Sequence, residues 1–262
     1  MPLCLCGLFL NHEGSKTLRI HKVFLLIQTM TEQEQIISAL QAIHTRMNNA
    51  CKKAGRNPDE VRLLLATKTV PPEKIRIAVE AGETLIGENR VQEYTEKFDA
   101  IKDLNCERHF IGHLQTNKIK EVLKYVSCIQ SVDRLELAEK LDARLQHESR
   151  SIDIFVEINT SFEESKSGIE PDKAFDLIKR INQLDTLKIK GLMTIGLFSD
   201  DELLVRKSYR LLRELRDEAM TKGLLPAASG ELSMGMSNDL EWAIEEGATM
   251  VRVGSAVFGK RN

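Results

Sequence analysis

Aromatic side chains make up only 5% of this 262-residue sequence, with one tryptophan and three tyrosines, so any large core must be filled by aliphatic residues. No apolar run reaches the ~18 residues of a membrane-crossing helix, and none is implied. Neither sign of charge is in excess: 37 basic residues stand against 39 acidic ones, net −2. Without a basic surplus the chain does not read as a general nucleic-acid or membrane-surface binder. The five cysteines (Cys4, Cys6, Cys51, Cys106, Cys128) are odd in number, scattered, and form no CxxC pair. They read as reduced, mostly buried thiols of a cytoplasmic protein, not as a disulfide framework or a metal site. What is present is a 42% hydrophobic fraction, and a length close to the ~250 residues of one (β/α) barrel.

Residues 1–29 differ from the rest, with two short apolar patches and one acidic residue, Glu13. The basic residues follow the first apolar patch, which is the wrong order for a secretory signal. The segment is read as an N-terminal extension, disordered or upstream of a functional start at Met30. The fold is expected over residues 30–262.

From Thr31 the chain alternates apolar runs with amphipathic stretches. A helix is expected from Thr31 to Ala54, with Ile36, Leu40, Ile43 and Met47 at helical spacing, a Thr31/Glu34 capping box and a stop at Gly55. Eight strands follow: Val61–Lys68, Thr84–Asn89, Arg108–Gly112, Val126–Val132, Ile152–Asn159, Leu187–Ile195, Glu231–Gly235 and Thr249–Gly254. Helices are expected between them, including Asn117–Tyr125, Arg134–His147, one from Pro171, Asp200–Lys222 and Asn238–Glu246. Eight strand–helix units imply parallel strands and favour a closed (β/α)8 TIM barrel of α/β class, preceded by an additional helix.

Such barrels carry their sites at the C-terminal ends of the strands. On strand one, Leu63, Leu65 and Thr67 share one direction and Leu64, Ala66 and Lys68 the other. If the leucines at 63 and 65 pack under helices, Lys68 points into the mouth. Desolvation there favours the neutral amine that adds to carbonyls; the plain alternative is a lysine that keeps its ammonium in water. Strand eight sends Val251 and Val253 one way, and Arg252 and Gly254 the other. Gly254-Ser255 then opens a short helix whose free N–H groups suit a phosphate. Ser233, Gly235 and Ser237 add donors from strand seven. Facing Lys68 across the barrel, these ends describe a phosphorylated aldehyde held at both ends.

In order and spacing, ATKTVPPEKI, IGENRVQE, RHFIGHLQTNK, EINTSFEESKSGI, IKGLMTI, LSMGMSNDLEWAI and MVRVGSAVFGKR resemble the pyridoxal phosphate homeostasis protein family. The resemblance spans about Val61–Arg261 and, more loosely, the helix from Thr31. It implies a barrel of the alanine racemase N-terminal-domain type that binds pyridoxal 5′-phosphate (PLP) without established turnover. The cofactor would be buffered or delivered, with PLP-dependent apo-enzymes as recipients, by a monomer or dimer. By motif, Lys68 would be the covalent Schiff-base lysine, Asn89 would line the ring side and Met193 would sit beside the cofactor. Ser233, Met234, Gly254 and Ser255 would hold the phosphate. Arg252 would lie near the pyridine edge, disfavouring a protonated ring nitrogen. No catalytic residue and no metal ligand is implied. His113 departs from a proline common in the family, and GLFSDD departs from the commoner continuations after strand six.

Other residues have plainer readings. His109 reads as a packed strand residue and His113 as a loop residue. Trp242 and the Met234/Met236 pair read as packing. Glu163, Glu164 and Lys166 read as a solvated turn; the sharper reading is that Lys166, or more remotely Lys118, captures cofactor during transfer. The rival function is a PLP-dependent amino-acid racemase. It needs a second base opposite the lysine, which that fold takes from an additional β-domain with no counterpart here. Tyr94, Tyr125 and Tyr209 fall on expected helices, away from the mouth. A lysine-dependent aldolase would need an acid–base group near Lys68, and the strand ends show no obvious carboxylate pair. The expectation is a cofactor-holding protein, not an enzyme.

Overall fold

The structure, a computed structural model, describes residues 30–259; the readings of residues 1–29 lie outside the described residues. The helix α1 (Glu32–Lys53) begins with the expected capping box: the Glu34 backbone donates to the Thr31 hydroxyl, and the Glu34 carboxylate accepts from the Thr31 backbone. It ends at Ala54, with Gly55 at φ 66° supplying the left-handed turn. Its buried stripe, Ile36, Leu40, Ile43 and Met47, packs on the barrel where α2 (Pro72–Glu80) and α8 (Leu240–Glu245) flank the closing seam. Arg46 donates to the Glu241 carboxylate and the Ser237 carbonyl, and Arg56 caps the carbonyls of Ile244 and Ala248 at the end of α8.

Eight parallel strands pair in chain order and close into a barrel: β1 (Arg62–Ala66), β2 (Leu85–Glu88), β3 (Glu107–Phe110), β4 (Cys128–Val132), β5 (Ile152–Glu157), β6 (Leu187–Met193), β7 (Glu231–Ser233) and β8 (Met250–Val253). Closure comes from β8 pairing with β1, Leu65 opposite Val253. The remaining crossover helices are α3 (Val91–Ile101), α4 (Ile119–Val122), α5 (Leu135–His147), α6 (Ala174–Ile181) and α7 (Glu202–Thr221), with a short final turn, α9 (Ser255–Phe258). Except for β4, which ends at Val132 as expected, the strands stop short of the C-terminal ends that the apolar runs suggest, and β3 begins one residue earlier, at Glu107. Two expected helices also shrink. The one over 117–125 is a 3-10 turn at Thr116–Lys118 followed by α4, and Pro171 opens a 3-10 turn before α6. In the first, a single turn suffices to bury Ile119 and Val122 before the chain enters β4.

Side-chain alternation builds two apolar layers. Leu63, Leu65, Val251 and Val253 join the layer between strands and helices, while Leu64, Leu85, Cys128, Phe155, Met193 and Met250 fill the barrel itself. Each large side chain so buried contributes roughly 1.5–3 kcal/mol. In β6 the alternation breaks. Ile154 pairs with Ile189 but Phe155 pairs with Gly191, so one residue of β6 is skipped. Gly191 permits this because a Cβ there would lie 1.9 Å from the Glu231 carbonyl oxygen. The bulge turns Met193 inward, whereas strict alternation from Leu187 and Ile189 would bury it under the helices.

Candidate functional site at the barrel mouth

Lys68 lies two residues beyond the end of β1, in a turn, half-buried. The expected strand through Lys68 is thus corrected: pairing stops at Ala66 because the chain must bend towards Pro71. The turn is pinned from both sides. Val70 N–H donates to the Thr67 carbonyl at 3.0 Å, and Thr67 N–H donates to the Gly87 carbonyl at 2.9 Å. Thr69 N–H donates to Glu93 Oε2 at 2.9 Å, with Thr69 held at φ 60°. Beneath it, Lys97 of α3 is buried and donates to the Thr67 carbonyl at 2.9 Å while pairing with Glu88 at 2.6 Å. Burial raises the Glu88 carboxyl pKa and the Lys97 ammonium pulls it back. The lysine therefore projects from a clamped turn and not from a free strand end.

Because β8 is the neighbour of β1, the Gly254–Ser255 end sits beside Lys68, not across from it, which corrects the expected opposition. A Cβ on Gly254 would approach the Ala66 carbonyl oxygen to 2.9 Å, so only glycine lets the end of β8 lie this close to β1. Ser255 and Ala256 are exposed at the start of α9, which no side chain caps. Asn89 follows β2, and its Oδ1 is buried without a hydrogen-bond partner. Met193, 1% exposed, closes the inner layer under the mouth.

Ser233 and Met234 are committed elsewhere. The Met234 side chain belongs to the outer layer and its N–H donates to the Met250 carbonyl. The Ser233 hydroxyl donates to Gln130 Oε1 at 2.6 Å and accepts from Arg252 Nη1 at 2.8 Å. Neither has a donor left for a phosphate in this arrangement. Arg252 is inside the barrel, with Nη1 also donating to the Ser233 carbonyl and Nη2 to the Thr194 carbonyl, both at 2.7 Å. Burial pulls its pKa below the usual guanidinium range.

Several mouth residues were not anticipated. Glu157 ends β5 facing inward, because Asp153, Phe155 and Glu157 alternate with the outward-facing Ile154 and Val156. Burial pushes its carboxyl up to about 8, with the nearby Asp133 adding to the rise and Arg252 opposing it. The period-2 pattern of IDIFVE carried the signal for this inward carboxyl, which stands on β5, across the barrel from β1. Tyr209 is also closer than expected: it is fully buried on α7, but its hydroxyl donates to Asp239 in the loop after β7. Thr160 and Thr194 share a hydrogen bond of 3.0 Å. Lys166 is not a solvated turn residue; its ammonium donates to Glu163 at 2.6 Å and to the Gly196 carbonyl at 2.7 Å. Lys118 is exposed. His113 lies 3.6 Å from Asp133, and Trp242 packs partly buried on the outer layer. Among the described residues no cluster of His, Cys, Asp and Glu suits a metal, and no helix is long and apolar enough to cross a membrane.

A closed barrel with a lysine just past β1 and an open N–H start after β8 defines a class. The family model for the alanine racemase N-terminal domain matches residues 38–262, so the chain is a barrel of that type. It is 45% identical over 222 residues to the pyridoxal phosphate homeostasis protein of Aquifex aeolicus, covering 85% of this chain and 96% of that protein. The chain belongs to the pyridoxal phosphate homeostasis protein family. The structure of PipY from Synechococcus elongatus with PLP bound superposes with a TM-score of 0.74 at 30% identity, covering 86% of this chain and 100% of that one. A Clostridium difficile alanine racemase shares the fold alone, with a TM-score of 0.71 at 14% identity and 57% of its length spanned.

Proposed function

We propose that this chain binds PLP covalently through Lys68 and serves PLP homeostasis, holding and releasing the cofactor for PLP-dependent apo-enzymes in the cytoplasm without turning over a substrate. The observation that carries this reading is the juxtaposition on neighbouring strands of a clamped lysine and an uncapped N–H start. The residues fit the cofactor: the amine meets the aldehyde, the open backbone donors of Ser255 and Ala256 suit its phosphate, and the orphaned Asn89 oxygen accepts a hydrogen bond. Gly254 leaves the approach open, and Met193 supplies an apolar wall. Bound PLP supplies an electrophilic aldehyde and an electron-withdrawing ring. The chain's own residues hold Lys68 in place, present N–H donors and set a positive charge beneath the mouth. Ser233 contributes by orienting Arg252.

One feature favours holding over turnover. A racemase needs a second proton carrier opposite the lysine. Tyr209 is fully buried and bound to Asp239, and burial raises its pKa far from neutrality. The test is borohydride reduction of the PLP-treated protein followed by peptide mass spectrometry. Label is expected on Lys68, and Lys68→Ala should lose the absorbance band at about 420 nm. Label on Lys166 or Lys118 with none on Lys68 would refute the assignment. Amino-acid racemisation at ~1 s⁻¹ or faster would overturn the non-catalytic reading.

A further inference from the structure

A polar chain runs through the barrel interior. It starts at the half-exposed Glu107, at the N-terminal end of β3, where His109 Nε2 lies 3.4 Å from Glu107 Oε2. His109 Nδ1 lies 2.8 Å from Gln130 Nε2. Gln130 Oε1 accepts from the Ser233 hydroxyl at 2.6 Å, and that hydroxyl accepts from Arg252 at 2.8 Å. Arg252 then reaches the Thr194 carbonyl at the level where β6 ends. His109, Gln130 and Ser233 are all buried.

The direction of every bond in this chain follows from its last member. Arginine only donates. Ser233 must therefore accept from it and pass its own proton to Gln130 Oε1. The Gln130 amide nitrogen then faces two acceptors, His109 Nδ1 and the Met250 sulfur at 3.1 Å, which fixes the amide orientation. His109 Nδ1 consequently accepts, which leaves Nε2 to face Glu107 as the donor. One consistent arrangement satisfies the whole chain, so each link restrains the next.

We propose that His109 and Gln130, remote from the mouth, are positioning residues that act through Ser233 to fix Arg252 and thereby set the affinity of the mouth for its phosphorylated aldehyde. The inference rests on the reading that the mouth holds PLP. The relay itself does not depend on that reading, and two measurements separate the two claims.

The first uses cofactor-free protein. Urea midpoints are measured for Gln130→Met, Arg252→Lys and the double variant, with Ser233→Ala as an alternative background if Arg252→Lys does not fold. Coupled links give clearly non-additive midpoints; additive midpoints overturn the relay. The second titrates PLP into wild type, Gln130→Met, His109→Leu and Gln130→Glu. The expected result is about tenfold weaker binding and a shifted absorbance band for Gln130→Met, corresponding to ~1.4 kcal/mol. His109→Leu should give a smaller loss in the same direction. Gln130→Glu keeps the acceptor for Ser233 but has no N–H for His109 Nδ1, so its loss should match that of His109→Leu and stay below that of Gln130→Met. In the Arg252→Lys or Ser233→Ala background, Gln130→Met should change PLP affinity less than twofold. Wild-type affinity and band in Gln130→Met, or an undiminished loss in either background, overturn the positioning role. Wild type that fails to bind PLP instead removes the functional reading, and the urea cycle still decides the relay.

Discussion

Lys97 and Arg252 are both buried cations near strand ends, on opposite sides of the barrel wall, and the protein satisfies them differently. Outside the wall, Lys97 is matched by a carboxylate, Glu88 at 2.6 Å, and its remaining hydrogen bond holds the turn that carries Lys68. Inside, the hydrogen bonds of Arg252 go to two carbonyls and a hydroxyl, all neutral. Two carboxyls act on its charge: Glu157, which burial holds mostly protonated at neutral pH, and Asp239, which already accepts from the Tyr209 hydroxyl. A paired cation is a structural clamp. A cation kept short of counter-charge retains its field for whatever enters the mouth.

The largest test of this contrast is Lys97→Met. It strands the Glu88 carboxyl in the wall without a counter-ion and should cost roughly 3–5 kcal/mol, which is about 10 °C or more in Tm for a domain of this size. The double variant Lys97→Met/Glu88→Leu removes both charges and should recover most of that loss. If the double variant is no more stable than the single one, the pair is not a charge clamp and the contrast with Arg252 fails.

Glu157→Gln tests the other side. The folded-state pKa of about 8 lies above the unfolded value of 4.5. Between these values the folded protein holds a proton that the unfolded chain has released. Stability therefore falls as pH rises through that window, by ~1.4 kcal/mol per unit where the slope is full. Glutamine mimics the protonated form, so the variant should match wild type at pH 5 and exceed it by about 3–4 kcal/mol at pH 9. If Glu157 were an ionised partner of Arg252, the substitution would instead destabilise at neutral pH. Thermal denaturation of cofactor-free protein across pH distinguishes the two.

The outer wall was far more legible in the sequence than the inner mouth. Eight alternating units, the capping box at Thr31 and Glu34, and the outward Leu63, Leu65, Val251 and Val253 follow from local period and cap chemistry. Met193 faces inward only because of a bulge set by backbone contact between Gly191 and Glu231, which lies 40 positions away and leaves no local signal. Ser233 has the right residue type for a phosphate donor, but Gln130 and Arg252 occupy its hydroxyl through contacts of long sequence separation. Glu157 is the opposite case. Its inward direction was readable from strand alternation, and the charge was passed over because the neighbouring apolar residues describe the strand so well.

The smallest effect concerns Thr69, and it probes how the clamp under Lys68 works. Thr69 is β-branched and sits at φ 60°, a conformation that costs such a residue ~1–2 kcal/mol. It persists because its N–H is taken by Glu93 while Lys97 holds the Thr67 carbonyl two residues earlier. Thr69→Asn keeps the N–H and tolerates the left-handed region, so it should raise stability by about 1 kcal/mol, or roughly 2–4 °C. Thr69→Gly should gain less, because glycine also adds entropy to the unfolded chain. The informative comparison is the same substitution in Lys97→Met. With the Lys97 bond to the Thr67 carbonyl gone, Val70 and Glu93 still hold the turn, and the gain from asparagine should shrink. An undiminished gain would mean that the strain at Thr69 is imposed by the turn alone and that Lys97 acts only on Glu88.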